Sequence, residues 1–220
     1  MHLVEQYHKT TDRWVLEITR LTPGQSKDFM PTGTDYIMLA GASLKGSMSA
    51  VFHATAACTM TKPYYISCDD DEYAVVVSYS GLKLHDSTIT IIDPTSQGNL
   101  SYMDGGTNTN AINPSRSGDP VINYVFFPKG MDQTPHVHPS HRIGFCVRGH
   151  GQTDLIEDRI PMKRGDVFFM SRMELHHFLT PQDDCVLFVF APDSESGPTD
   201  EYNPLKARTY IDRREVKLGK

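Results

Sequence analysis

Residues 130–149 read GMDQTPHVHPSHRIGFCVRG, and this stretch says more about the fold than any other part of the sequence. It contains His136 and His138, whose spacing of two places both imidazoles on the same face of a β-strand. Six of the ten histidines lie between His136 and His177, and His176 brings a third imidazole from a separate segment. Two imidazoles from one strand and one from another are typical of an open metal site, which keeps positions for water or substrate.

The glycines and histidines of this region resemble the two motifs of the cupin family. The first motif is matched by Gly130, by the pair at residues 136 and 138, and by Gly149; the second is matched by Gly165 followed by His176. The resemblance covers residues 119–192. It implies an all-β fold, the double-stranded β-helix or jelly-roll barrel, with one divalent metal ion held between its sheets by His136, His138 and His176.

The chain departs from the family pattern at four positions. Arg142 stands where the first motif normally has a glutamate. In the second motif, Ser171, Met173 and Thr180 stand where proline, glycine and asparagine are usual. Three neutral imidazoles without a carboxylate leave a bound metal its full double positive charge, and such a centre favours anionic substrates.

Composition and charge exclude several classes of partner. The 220-residue chain has a formal net charge of −6 and a pI near 5.9, which argues against an electrostatic grip on nucleic acid or on anionic membranes. No apolar run approaches the length of a membrane span. The N-terminus lacks the apolar core of a secretion signal, and the four cysteines show no paired spacing. We therefore expect a cytoplasmic protein with reduced thiols.

Short runs of β-branched and aromatic residues, separated by Gly, Pro, Asn and Asp, predict an all-β fold. No segment shows a long helical periodicity. The predicted strands are residues 13–22, 35–39, 73–80, 88–93, 121–127, 143–148, 166–170 and 186–192.

The two halves of the sequence are alike, which indicates a bicupin with a degenerate N-terminal copy. Gly24 and Gly41 are spaced much as Gly130 and Gly149 are, and Tyr64–Ser67 matches Phe168–Ser171. In this alignment Asp28, Met30 and Glu72 replace the three histidines, so the first copy has lost its site. The alternative is that the N-terminal strands complete one larger barrel. The expected division is residues 1–95 for a degenerate cupin-like domain, 96–118 for a linker or long loop, 119–195 for the metal-binding barrel and 196–220 for a tail.

Strand parity extends the candidate site beyond the ligands. If His136 and His138 face the barrel interior, Arg142 and Cys146 face it too, while Ile143, Phe145 and Val147 pack on the other side. Arg142 offers a charged planar fork for a carboxylate, and we expect it to have a catalytic and substrate-binding role, although a salt bridge at the barrel rim is equally compatible. Tyr124, Cys146 and Phe178 are further candidates for the substrate pocket, with core packing as the alternative for each. His141 competes for ligand status.

Three functions are compatible with these residues. The three-histidine centre resembles cupin dioxygenases, which favours a non-haem iron(II) dioxygenase acting on a small anionic molecule. The alternative is a redox-silent isomerase or lyase that uses Zn, Ni or Mn, with His141 or Tyr124 as general base. The third is a non-catalytic module that binds a small ligand. Exposed barrel strands often pair between chains, so we expect a homodimer.

Overall fold

The computed structural model describes residues 2–3, 6–10, 15–46, 51–116, 118–154 and 159–193. The predicted tail at 196–220 lies outside the described residues. Within them, nearly all regular structure is β-strand, and one turn of 3-10 helix spans Met103–Gly105. The strands are β1 (His2–Leu3), β2 (Gln6–Thr10), β3 (Val15–Leu21), β4 (Ser26–Phe29), β5 (Thr34–Lys45), β6 (Val51–Met60), β7 (Tyr64–Ser67), β8 (Tyr73–Tyr79), β9 (Ile89–Ile91), β10 (Leu100–Ser101), β11 (Thr107–Ile112), β12 (Val121–Phe127), β13 (Arg142–Asp154), β14 (Arg159–Lys163), β15 (Val167–Met170), β16 (His177–Leu179) and β17 (Cys185–Ala191).

The all-β class predicted from the sequence is confirmed, and each half of the chain builds its own antiparallel sheet system. The N-terminal strands are ordered β2-β3-β8-β5-β6-β9, with β4 and β7 attached through β5. The sheet of the C-terminal half is ordered β1-β15-β13-β17-β12-β11-β10, with the N-terminal strand β1 at its edge and with β14 and β16 paired to the far half of β13. Among the described strands, β2 to β9 pair only with one another, which does not fit a single larger barrel.

The same order of strand pairing occurs in both halves. In the first, β3 pairs with β8, β8 with β5, and the end of β5 with β7. In the second, β12 pairs with β17, β17 with β13, and the end of β13 with β16. This parallel supports a duplicated barrel unit, which stays a prediction.

Two hydrogen bonds are repeated at equivalent turns. The amide of Gly24 donates to the carbonyl of Cys68 at 2.8 Å, and the amide of Gly130 donates to the carbonyl of Thr180 at 2.6 Å. Both glycines have positive φ, 78° and 81°, a backbone conformation that only glycine adopts without strain. The two turns therefore have the same local structure for the same steric reason.

One alignment in the predicted duplication is wrong. The sequence matched Tyr64–Ser67 with residues 168–171, but strand β7 takes the position of β16, which follows His176. Tyr64 pairs with Phe29 in the first half as His176 pairs with His136 in the second. Phe29 and Tyr64, not Asp28 and Glu72, therefore stand where two of the histidines stand.

Three clusters of buried side chains hold the structure together. One fills the interior of the N-terminal sheet system and one fills the C-terminal barrel. The third, which we call the inter-barrel core, joins the outer faces of the two halves. It includes Leu16, Tyr36, Met38 and Val75 from the first half and Ile143, Phe145, Val147, Phe188 and Phe190 from the second.

The segment at 96–118 is not a solvated linker. It contains β10 and β11, which extend the C-terminal sheet beside β12. The first four residues of β11, Thr107-Asn-Thr-Asn110, lack the apolar side chains that usually mark a strand, and this is why the prediction failed. No helix in the described part of the chain is long and apolar enough to cross a membrane.

Candidate metal centre

The three histidines singled out from the sequence come together in the C-terminal barrel. His136 and His138 lie in the segment that enters β13, and His176 lies immediately before β16. A β-bridge joins His136 to His176 through two backbone hydrogen bonds of 2.9 and 3.0 Å. This bridge fixes the two segments side by side, so that ligands far apart in the sequence face the same space.

The imidazole rings converge. Their centroids are 4.9 Å apart for His136 and His138, 4.5 Å for His136 and His176, and 5.1 Å for His138 and His176. One ring nitrogen from each histidine lies within 4.8 Å of the other two. Three nitrogens this close are near enough to bind one divalent cation after small side-chain rotations.

Hydrogen bonds set the tautomer of two of these rings. Nδ1 of His136 lies 3.0 Å from the carbonyl of Thr134, and Nδ1 of His176 lies 2.8 Å from the carbonyl of Glu174. A carbonyl only accepts, so each Nδ1 carries the proton and each Nε2 keeps a lone pair. Histidines that bind metals usually have this arrangement, in which the second nitrogen donates to the protein.

His176 supplies the clearest sign that the site fits a cation. Its side chain is 1% exposed, and its Nε2 is buried without a hydrogen-bond partner. A buried acceptor with no donor costs free energy, which a metal ion would recover by accepting the lone pair. The residues present therefore suit a divalent metal.

The three imidazoles are poised to be neutral. Burial lowers the pKa of His138 to about 4, and the nearby Arg142 guanidinium lowers it further in the same direction. Burial, followed by the neighbouring His136, lowers the pKa of His176 to about 3. Burial also lowers the pKa of His136. Neutral rings are the form that binds metals, and they predominate here well below neutral pH.

Arg142 lies in the same cavity, on the first residue of β13. It is 3% exposed, and its Nη1 donates to Ser140 Oγ at 2.5 Å and to the His141 carbonyl at 2.8 Å. Burial lowers the pKa of Arg142 to about 10, while Asp193 acts in the opposite direction. The guanidinium is therefore still charged at neutral pH, and it presents a fixed cation beside the three histidines.

The cavity has a volume of about 80 Å³ and a mixed wall. Arg142, His136 and His138 line it together with Phe178, one of the predicted pocket residues. Four polar residues of the wall were not predicted from the sequence: Tyr102, Asn108, Asn123 and Gln133. Asn108 lies in the Thr-Asn-Thr-Asn run of β11, in which residues of both faces are polar, so no alternation of apolar and polar residues marks it.

Two predicted pocket residues lie elsewhere. Tyr124 points to the opposite face of β12, where it packs on Phe188 in the inter-barrel core and donates to the Ser96 carbonyl at 2.7 Å. Cys146 is on the interior face, as parity predicted, but it packs deeper in the barrel, with its sulfur 3.8 Å from that of Cys185. Neither side chain lines the cavity.

His141 does not belong to the three-histidine cluster. Its Nδ1 accepts a hydrogen bond from the Arg172 amide at 3.1 Å, and its ring stacks on Phe169. Like Tyr124, it does not line the cavity. The redox-silent alternative therefore loses both of the general bases that the sequence offered for it.

Comparisons with known proteins agree with this architecture. The model of the cupin domain matches residues 123–191, which include all three histidines. Among solved structures, a cupin 2 conserved barrel domain protein from Leptotrichia buccalis superposes with a TM-score of 0.59 at 12% identity, covering 87% of this chain and 89% of that one. AerE from Microcystis aeruginosa gives 0.57 at 10% identity, over 84% and 90% of the two chains.

A third similar structure is an enzyme. The salicylate 1,2-dioxygenase from Pseudaminobacter salicylatoxidans superposes with a TM-score of 0.56 at 9% identity, covering 85% of this chain and 76% of that one. At such identities the likeness establishes the fold alone, and the jelly-roll barrel predicted from the sequence is confirmed. No curated protein matches the chain in sequence.

Proposed function

Since this chain belongs to the cupin superfamily, we propose that its three-histidine centre binds one divalent metal and that the protein is a metal-dependent enzyme. More specifically, we propose a non-haem iron(II) dioxygenase that acts on a small anionic organic molecule. The observation that carries the proposal is the convergence of three neutral imidazoles, one of which has a buried Nε2 without a partner.

His136, His138 and His176 would hold the ion. When bound, iron(II) supplies electrons for oxygen chemistry and open positions for oxygen and for two donor atoms of a substrate. Three neutral ligands leave the double positive charge of iron(II) uncompensated. This charge favours the binding of an anionic substrate together with the iron.

The other residues of the cavity bind and orient the substrate. Arg142 provides a buried positive charge that attracts a carboxylate and fixes its direction, and orientation of this kind contributes a large part of catalytic rate. Phe127 and Phe178, stacked at 5.2 Å, line the wall and exclude water from the reacting groups. A substrate held there meets a dry, positively charged surface.

The structural neighbours support an oxygenase without identifying its substrate. The salicylate 1,2-dioxygenase shares the barrel, and one solved form of a variant of it is a complex with gentisate. That enzyme shows that this architecture accommodates oxygen chemistry on a small carboxylate.

The test begins with the metal content of protein purified without added metal. Protein loaded with iron(II) under anaerobic conditions is then given oxygen and a panel of small carboxylates, including salicylate and gentisate, while oxygen uptake is recorded. We expect uptake with at least one of them and none for His138→Ala, which should fail to retain iron. Bound iron with no uptake across the panel would refute the dioxygenase, and stoichiometric zinc without iron would favour an isomerase or lyase.

We further propose a cytoplasmic homodimer. Strands β9 and β10 lie at the ends of the two sheet orders, and Ile89, Ile91 and Leu100 on them are 43%, 64% and 64% exposed. Exposed apolar edge strands are sites where a second chain pairs. Light scattering should give twice the 24.7 kDa mass of one chain, and the monomer mass at micromolar concentration would contradict the proposal.

A further inference from the structure

Two amide side chains in the cavity wall have buried atoms without hydrogen-bond partners. Nε2 of Gln133 is a donor without an acceptor, and Oδ1 of Asn108 is an acceptor without a donor. Both residues line the cavity beside His136, His138 and Arg142. Buried polar atoms are almost always hydrogen-bonded in folded proteins, so these two atoms are available to a ligand that enters the cavity.

The orientation of Gln133 is fixed by its other bonds. Its backbone amide donates to the Phe178 carbonyl at 3.0 Å, and its carbonyl lies 2.9 Å from Nδ1 of His177. Its Oε1 accepts from the Phe178 amide at 3.3 Å. The side-chain oxygen is therefore engaged, and only the NH2 group remains for a ligand. Gln133 is 1% exposed.

Asn108 presents the complementary group. It lies on β11 opposite Val125, and both side chains face the cavity. Its Oδ1 needs a hydrogen-bond donor, which a carboxylate cannot provide. The ligand must therefore contain a hydroxyl or an amine as well as an acid group. Arg142 and a divalent metal are both positive, so they disfavour an ammonium group and leave the hydroxyl.

The size of the cavity restricts the carbon skeleton. Its volume is about 80 Å³. Benzene occupies an engineered cavity of about 150 Å³, roughly twice this volume, so the space favours a ligand smaller than an aromatic acid. A ligand of two or three carbon atoms that carries both a carboxylate and a hydroxyl fits the volume and the polar groups together.

We propose, on the basis of the proposed function, that the substrate is a short-chain 2-hydroxycarboxylate. Its carboxylate lies against Arg142. Its hydroxyl donates to Asn108 Oδ1 and accepts from Gln133 Nε2. Gln133 and Asn108 are thus specificity-determining residues. Gln133 lies between Gly130 and His136 in the first motif, and Asn108 lies outside both motifs, on β11.

The test measures binding by calorimetry to zinc-loaded protein, in which no oxygen chemistry takes place. The ligands are lactate, pyruvate, propionate, salicylate and benzoate. We expect lactate to bind at least about 10-fold more tightly than pyruvate, which lacks the hydroxyl donor and leaves Oδ1 unsatisfied. Salicylate, which has both groups on a ring, should bind no more tightly than benzoate.

Variants identify the residues responsible. Asn108→Leu should reduce the preference for lactate over pyruvate to within about 2-fold, because the lactate hydroxyl then has no acceptor, whereas pyruvate has no hydroxyl donor that could lose one. Gln133→Leu should weaken both ligands. Asn113→Leu is the matched control, since Asn113 is exposed just beyond β11 and does not line the cavity, and it should keep the full preference.

The outcomes separate this inference from the proposed function. Equal affinity of the unmodified protein for lactate, pyruvate and propionate, or tightest binding of salicylate, would overturn the 2-hydroxycarboxylate. The same holds if Asn108→Leu keeps the full preference. Selective lactate binding without oxygen uptake by the iron-loaded protein would support the site and refute the dioxygenase. Oxygen uptake with gentisate and no selective lactate binding would support the dioxygenase and overturn the 2-hydroxycarboxylate.

Discussion

Arg142 is the residue at which substrate binding and metal binding are best separated. Its charge faces the cavity, but it is not one of the three groups that converge as ligands. Arg142→Ala should therefore keep the metal and raise KM for an anionic substrate by about 10-fold to 100-fold, the loss expected for one charge-assisted hydrogen bond. Steady-state kinetics and elemental analysis of the same preparation measure the two effects.

Arg142→Lys is the control for folding and charge. It keeps a cation but loses the planar fork, so KM should fall between that of the unmodified enzyme and that of Arg142→Ala. If Arg142→Ala strips the metal, its assignment to the substrate is incorrect.

The buried histidines also predict how acid acts on the metal-free protein. The pKa of His138 is about 4 in the folded chain and near 6.5 when unfolded, so the unfolded state binds more protons between these values. The free energy of unfolding should therefore be constant above about pH 6.5 and decrease as the pH falls towards 4. Urea titrations at several pH values measure this slope.

His138→Gln gives the comparison, because glutamine does not titrate. Its slope between pH 6.5 and 4 should be smaller than that of the unmodified chain. Equal slopes would show that protonation of His138 does not contribute.

At the scale of strands, the prediction succeeded where β-branched and aromatic residues are concentrated. It failed where other residues form the strand. Strand β12 has the predicted bounds, because Val, Ile, Tyr and Phe are concentrated in it. Strand β6 was missed since it is rich in alanine, which has low strand propensity, although its Ala56 and Ala57 are fully buried. In β6 the packing between sheets overrides the low strand propensity of alanine. No local sequence pattern encodes this packing.

The residues of the candidate site were likewise predicted in part and missed in part. His136, His138 and Arg142 were found because one motif places them close together in sequence, and His176 because it matches a second motif. Asn108 and Gln133 were missed because β11 joins the cavity only through its pairing with β12, and the amide of Gln133 is oriented by Phe178 from β16. Long-range pairing of this kind is not visible in the spacing of residues along the chain.

Gly144 is the position at which the close packing of β13 against β15 can be tested. A Cβ added at Gly144 would lie 1.7 Å from Cζ of Phe168, whose ring is fully buried in the barrel. Gly144→Ala should lower the free energy of unfolding by about 1–3 kcal/mol or more, the cost of overpacking a core. Chemical denaturation measures this loss.

Combining Gly144→Ala with Phe168→Leu tests the cause of that loss. The smaller side chain makes room, so the double variant should lose less stability than the sum of the two single variants. Strict additivity would mean that the contact is not responsible.

At the scale of the whole molecule, the two halves are joined by the inter-barrel core. Tyr36 from the first half lies 5.1 Å from Phe190 of the second, measured between ring centroids. Arg164 of the second half donates to the carbonyls of Ala40 and Asp71 of the first at 3.0 and 2.7 Å. The N-terminal half, whose described residues contain no cluster of metal-binding side chains, can thus stabilise the half that holds the three histidines, because strand β13 is packed on both faces.

This coupling predicts that damage to the inter-barrel core reaches both halves. Phe190 is fully buried, and Phe190→Ala should cost about 3–5 kcal/mol, the usual loss for a buried phenylalanine. Hydrogen exchange resolved by residue should show the loss of protection in β5 and β8 of the first half as well as in β13 and β17. The matched control is Phe178→Leu, which alters the interior of the C-terminal barrel alone and should leave β5 and β8 protected. A shared core transmits its destabilisation to every strand that packs on it. If Phe190→Ala lost protection only in the second half, the two halves would therefore fold independently.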